Sequence, residues 1–286
     1  MARRFLKMHG LGNDFVVLDA RLDGFTVTPG QARAIADRRR GVGFDQLVLL
    51  EPPRSPGADV FMRILNPDGS EAGACGNATR CVVSLVAGEV GRGDLVVETV
   101  SGLLPSRAHA DGTVTVDMGP ARLDWASIPL AREVDTLHVP LAGGPLRDAC
   151  CVSMGNPHAV FFVPDVAAVD LPSLGPGLEH DPIFPARCNI EIAQVLAPDL
   201  IRMRVWERGA GITLACGSGA CAVLVAAARR GLTGRAATVR LDGGDLHIAW
   251  RDDGHVLMTG PVATSFTGEL SDSLLAEVPG NAGPGA

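Results

Sequence analysis

Short apolar runs cut by glycine, proline and aspartate dominate this chain. Residues 15–18, 46–50 and 60–65 each read as a strand closed by a turn residue. Residues 113–118 alternate apolar and polar side chains, the pattern of a half-buried strand. Segments 159–163, 190–196 and 201–206 repeat the style in the second half. Two segments depart from it. Residues 78–87 and 220–228 are longer apolar runs, stopped near Gly88 and Gly231, and both predict helices. Neither carries a polar stripe, and a helix that is apolar all round is a buried one. Buried helices among many short strands predict an α+β fold. Two half-barrels are expected, each a mixed or antiparallel sheet wrapped around one central helix.

The two halves repeat each other, and a long-period repeat governs the rest of the reading. Met62-Arg63-Ile64 recurs as Met203-Arg204-Val205, and Ala74-Cys75-Gly76-Asn77 recurs as Ala215-Cys216-Gly217-Ser218. Both offsets, 203 − 62 and 216 − 75, are 141 residues, as is that from Gly119-Pro120 to Gly260-Pro261. Gly12-Asn13 is echoed by Gly155-Asn156, and Asp45-Gln46 by Cys188-Asn189 in a looser register. One domain is therefore expected over 1–120 with a crossover from 264–276, and the other over 121–263. The tail 277–286, rich in Gly and Pro, has the composition of disorder.

Composition narrows the chemistry. Hydrophobic residues make up 47% and charged residues 20%, enough for a substantial core. A net charge of −7, with no basic run beyond Arg38-Arg39-Arg40, argues against nucleic acid as a partner. No segment reads as a signal core or a membrane span, so a cytoplasmic protein is expected. Seven cysteines with no C-x-x-C spacing fit free thiols in a reducing compartment better than disulfides or zinc. Lys7 is the one lysine, beside 24 arginines and no tyrosine. Pyridoxal phosphate needs a lysine Schiff base, and Lys7 reads as a surface or strand-edge residue. No cofactor and no metal are expected.

The matched cysteines carry the chemistry. Each precedes a glycine at a helix start, where unpaired backbone N–H groups and the dipole favour negative charge. A carboxylate held by two such starts would be gripped by both. Asn77 and Ser218 would serve as caps or added donors, and Gly76 and Gly217 let backbone approach the ligand. The same field lowers a thiol pKa, while two close thiolates repel, so a pair sharing one proton is favoured. One sulfur could take an α-proton and the other return one on the opposite face. Cys81 and Cys221, inside the apolar runs, read as packing residues. His158 could orient an amino group or simply be satisfied in its turn. Glu207-Arg208-Gly209-Ala210-Gly211 suits a zwitterionic ligand or a solvated turn. Asn13, Asn66, Asn156 and Asn189 could be turn residues or ligand contacts.

The chain resembles the diaminopimelate epimerases over nearly its whole length. The resemblance rests on Lys7-Met8-His9-Gly10-Leu11-Gly12-Asn13-Asp14-Phe15, Gly41-Val42-Gly43-Phe44-Asp45-Gln46 and Cys75-Gly76-Asn77. It continues in Ser153-Met154-Gly155-Asn156-Pro157-His158, Glu207-Arg208-Gly209-Ala210-Gly211 and Ala215-Cys216-Gly217-Ser218-Gly219. It implies cofactor-independent interconversion of LL- and meso-diaminopimelate, on the route to lysine and peptidoglycan, with Cys75 and Cys216 as the acid/base pair. It also implies substrate contacts from Asn13, Gln46, Asn66, Gly76, Asn77, Asn156, Asn189, Glu207, Arg208, Gly217 and Ser218, with His158 supporting, in a homodimer. Cys188, Ile212 and Thr79 depart from the family pattern.

Rival readings differ in class. A proline racemase-like enzyme shares opposed thiols, but its substrate lacks a second amino acid head. A phenazine-biosynthesis-like isomerase shares the doubled fold without the cysteines. A small-anion binder would use the two helix starts and turn nothing over. Counting 141 back from Glu207 and Arg208 reaches Asn66 and Pro67, an asymmetry expected to read the distal end of the substrate.

Overall fold

The structure is a computed structural model and describes residues 3–144 and 146–276. The first elements are β1 (Arg3–Gly10), β2 (Asn13–Asp19), α1 (Pro29–Ala36), β3 (Gln46–Glu51), β4 (Val60–Leu65), β5 (Glu71–Ala72), α2 (Gly76–Val90), β6 (Asp94–Thr99), β7 (Gly102–Ala108) and β8 (Val114–Pro120). The middle of the chain forms β9 (Val139–Gly143), β10 (Leu146–Ser153), β11 (Pro157–Phe162), α3 (Leu171–Glu179), β12 (Asn189–Ala197), β13 (Leu200–Glu207) and β14 (Gly211–Ile212). It ends in α4 (Gly217–Arg229), β15 (Ala236–Leu241), β16 (Gly244–Trp250), β17 (His255–Gly260), β18 (Ala263–Leu270) and α5 (Asp272–Leu275). The fold is the expected α+β type. The tail 277–286, read as disordered from its composition, lies outside the described residues.

Two compact units divide the chain: one runs to Gly112 and resumes at Val262, the other spans Thr113–Pro261. In the first unit β2 runs parallel to β3, β3 antiparallel to β4, and β4 parallel to β6. β5 adds to β4, and β7 to β6. The second unit repeats this, with β11 parallel to β12, β12 antiparallel to β13 and β13 parallel to β15. β14 and β16 take the places of β5 and β7. The repeat in the sequence is thus a repeat of strand pairing.

The division falls earlier than the sequence repeat places it. β8, counted above with the first half, pairs antiparallel with β17 inside the second unit. Val116 lies opposite Met258, both fully buried, and Thr115 Oγ1 meets Thr259 Oγ1 at 2.7 Å. In return β18, from the end of the chain, pairs with β1 in the first unit. A repeat shows which residues are alike, whereas a ladder joins whichever strands find complementary edges.

Each sheet packs on its helix for the same reason. Val82, Val83 and Val86 of α2 are buried, and α2 lies on β1, β6 and β7. Residues 219–227 of α4 are all buried, and the helix touches β10–β13 and β15–β17. Burying such side chains contributes roughly 1.5–3 kcal/mol each for Val or Leu, which favours this placement over any surface one. α1 begins at a capping box, Thr28 Oγ1 accepting from Gln31 N at 3.2 Å and Gln31 Oε1 from Thr28 N at 2.9 Å.

Candidate active site

In the first unit the helix start sets the thiol. Cys75 is the N-cap of α2, with extended backbone (φ −147°, ψ 110°). Asn77 therefore sits one residue inside the helix; it is not the cap. Asn13 opens β2 and reaches α2: its Oδ1 accepts from Asn77 Nδ2 at 3.2 Å and lies 3.8 Å from Cys75 Sγ. Its own Nδ2 donates to Asp45 Oδ2 at 3.0 Å, which commits Oδ1 to accept. Gln46 opens β3, beside Phe15 in the parallel ladder, and donates to Asn66 Oδ1 at 3.3 Å just past β4. Asn66 in turn holds Ser70 Oγ at 3.0 Å.

A charged scaffold missing from the sequence reading holds Asn13. Asp45 also takes Arg38 Nη2 at 2.8 Å, and Arg38 reaches Asp14 at 2.7 Å. Lys7 Nζ lies 2.5 Å from Asp14 and also donates to the Gly43 carbonyl. Burial alone would raise the Asp14 carboxyl, but hydrogen bonds and charge from Arg38 and Lys7 hold it well below the usual carboxylate range. Lys7 is thus no surface residue: it is 7% exposed and already committed to an ion pair. No local pattern signals this, because the partners lie 7 and 36 residues away.

The second unit builds the counterpart. Cys216 is the N-cap of α4, and its Sγ accepts from Gly219 N at 3.4 Å. Ser218, like Asn77, lies inside the helix. Asn156 Nδ2 donates to Ser218 Oγ at 3.2 Å, and Ser218 Oγ lies 3.6 Å from Cys216 Sγ. Asn13–Asn77–Cys75 and Asn156–Ser218–Cys216 are therefore one arrangement made twice. Gly76 and Gly217 open the two helices and are buried. Of the first-turn N–H groups, that of Gly219 is taken by Cys216 Sγ, and a helix start as a whole favours an anion.

His158 is fully buried, with Nδ1 2.6 Å from Glu191 Oε1 and Nε2 3.0 Å from Asn156 Oδ1. Asn189 opens β12 beside His158, as Gln46 opens β3. It donates to the Pro157 carbonyl at 2.9 Å and accepts from Arg208 N at 2.9 Å. The end of β13 carries Glu207 and Arg208; Thr213 Oγ1 donates to Glu207, and Arg208 Nη1 to the Ala186 carbonyl at 3.0 Å. Glu191 and Glu179, both buried beneath these residues, are absent from the sequence reading. A lone Glu inside an apolar strand or at a helix end gives no sign of its partners.

At Cys216 burial outweighs the helix start. The helix start was expected to lower the cysteine pKa. Burial instead pushes the Cys216 thiol well up, and the Glu207 and Glu191 carboxylates push it further, against the hydrogen bonds from Ser218 and Gly219. Glu207 itself is raised by burial, against hydrogen bonds from Thr213 and Cys216. Cys216 rests as a thiol. None of the seven cysteines is in a disulfide. Cys188 is fully buried with its thiol far up, an inert packing residue. Thr79 bonds the Cys75 carbonyl at 2.9 Å, and Ile212 is 44% exposed. Among the described residues no His, Cys, Asp and Glu cluster is arranged to hold a metal. None of the described helices is long and apolar enough to cross a membrane.

Comparison with known proteins gives one answer in sequence and a wider one in fold. The sequence profile described as "Diaminopimelate epimerase" matches residues 5–123 and 150–265. A protein named diaminopimelate epimerase from Rhodospirillum centenum is 75% identical over 96% of this chain and 94% of its own. One of the same name from Acidiphilium cryptum is 58% identical over 96% and 99%. Among solved structures, a probable proline racemase from Agrobacterium radiobacter superposes with a TM-score of 0.69 at 18% identity, covering 94% of this chain and 93% of that one. A phenazine biosynthesis protein of the PhzF family from Bacillus anthracis gives 0.66 at 16%, covering 95% and 99%. At such identities these structures share the fold alone.

Proposed function

The chain belongs to the diaminopimelate epimerase family, and on that premise we propose that it interconverts LL- and meso-diaminopimelate without a cofactor, using Cys75 and Cys216 as its two acid/base groups. The observation that carries this is the doubled arrangement at the helix starts. In each unit a cysteine caps a buried helix, and the side chain of Asn13 or Asn156 holds the second helical residue. The reacting α-carboxylate is taken by the first-turn N–H groups of α2 and α4. That grip stabilises the negative charge that develops as the α-proton leaves.

Cys216, a thiol at rest, supplies a proton to one face of the carbon, and Cys75 removes one from the other. The reverse reaction exchanges these roles. Glu207, adjacent to the Cys216 sulfur and raised by burial, is placed to receive the thiol proton when Cys216 acts as the base. Gln46, Asn66, Asn189 and Arg208 supply amide and guanidinium groups for the second amino acid head of the substrate. The same reading makes the enzyme a homodimer of the cytoplasm, which sedimentation and cell fractionation check.

Reduced protein in deuterium oxide, with no cofactor added, should exchange the α-proton of LL- and meso-diaminopimelate and leave proline untouched. Cys75→Ser and Cys216→Ser should each lower exchange by about a hundredfold or more, as loss of a general acid or base does. Exchange of proline instead would reassign the substrate. Binding without any exchange would reduce the protein to an anion binder.

A further inference from the structure

Glu179 ends α3, far in sequence from both cysteines, and its side chain is only 4% exposed. A buried carboxylate is costly unless its oxygens are occupied, and here both are. Oε2 accepts from the Trp206 indole Nε1 at 2.8 Å. Oε1 accepts from the backbone N–H of Gly209 at 3.0 Å and faces Arg187 Nη1 at 3.5 Å. Trp206 immediately precedes Glu207 and Arg208, and Gly209 immediately follows them. The carboxylate therefore fastens both sides of the dipeptide that the reading above places against the substrate.

The surroundings brace the same point. The ring of Trp206 lies so close to Gly175 of α3 that a Cβ there would come within 2.4 Å of it. Arg187 takes a left-handed backbone (φ 58°), and the bend leaves the Ala186 carbonyl accepting from Arg208 Nη1 at 3.0 Å. Gly209 and Gly211 also have positive φ (77° and 80°), so the turn is set by glycine geometry and needs an outside anchor to fix its direction. The Arg208 guanidinium has no protein partner among the described residues besides that carbonyl, which leaves its other N–H groups for a ligand.

We propose that Glu179 is a positioning residue that sets the reach of Arg208, and with it the affinity for the charged amino acid head that Arg208 meets. The proposal rests on the diaminopimelate reading, and the two fail differently. Wild-type protein that exchanges no α-proton sinks that reading. Wild-type turnover with an unaltered KM in the variant sinks only this one.

The test is Glu179→Gln in the full chain, assayed on diaminopimelate. A glutamine offers one oxygen and one NH2, so one of its atoms must face a second donor, either Trp206 Nε1–H or Gly209 N–H. We expect KM to rise about tenfold with kcat within about threefold, the signature of lost ground-state binding. Trp206→Phe removes one donor and keeps the ring on Gly175; alone it should raise KM less. Combined with Glu179→Gln it should restore KM part of the way, because the amide nitrogen then faces no donor. A general folding defect would instead add the two losses and lower kcat. An unaltered KM in Glu179→Gln, or a double variant worse than either single one, overturns the proposal. Should Glu179→Gln fail to fold, Trp206→Phe must still raise KM with kcat retained, and if it does not the proposal falls.

Discussion

At the scale of single residues, the place of the two cysteines at helix starts was legible, because each precedes a glycine ahead of an apolar run. Their protonation was not legible. A helix start argues for a low thiol pKa, but the pKa of Cys216 depends on burial and on Glu207 and Glu191, which arrive from β13 and β12. Glu207 makes the point testable. Its folded pKa is raised above the ordinary value of 4.5, so the folded state favours the protonated carboxyl. Stability is therefore lost as pH climbs from 4.5 through that raised value, and none is lost below 4.5. Glu207→Gln should raise the midpoint of thermal unfolding at pH 7 and leave it unchanged near pH 4, which differential scanning calorimetry at both pH values reads. With the carboxylate gone, iodoacetamide should label Cys216 severalfold faster at pH 8, while epimerisation falls. Slower labelling would mean that Glu207 does not oppose the thiolate.

At the scale of elements, the two buried helices could be read from their apolar runs, although each begins earlier than those runs do. Expected over 78–87 and 220–228, they span Gly76–Val90 and Gly217–Arg229. Periodicity sees only the packed turns, whereas the first turn here is made of small and polar residues. Asn77 and Ser218 were expected as caps or added donors; the capping role falls to the cysteines before the glycines. α3 went unread: Pro172, Gly175, Pro176 and Gly177 make a poor helix former, and it is held by the Asp170 cap and by packing on β9 and β13. The start of α4 gives a test of how tightly the thiol is placed. A Cβ at Gly219 would lie 2.9 Å from Glu191 Oε1 and 3.2 Å from Cys216 Sγ. Gly219→Ala gains about 1 kcal/mol of helix propensity but displaces the sulfur. Chemical denaturation should show little loss of stability, while kcat falls about tenfold or more. Full activity would show slack in the position of the sulfur.

At the scale of the whole molecule, the proposed function requires both thiols to act on one carbon. Mild oxidation should therefore link Cys75 to Cys216 and abolish activity, with reduction restoring it. Peptide mass spectrometry reads the link; inactive protein with a different pairing and these two thiols free would contradict the two-thiol reading. What the sequence determined by itself is what repeats: the apolar period of two buried helices, the strands around them and a cysteine before glycine at each helix start. These are local, because a side chain's polarity and its spacing from its neighbours are written in the order of residues. What only the tertiary structure decided is who meets whom. It gave β8 to the second unit and β18 to the first, buried Lys7 in an ion pair, and set Glu191 under His158 and Glu179 under the turn that carries Arg208. The physical reason is the same in each case: hydrogen bonds and the dielectric around a charge depend on groups brought together by folding, across separations the chain itself does not mark.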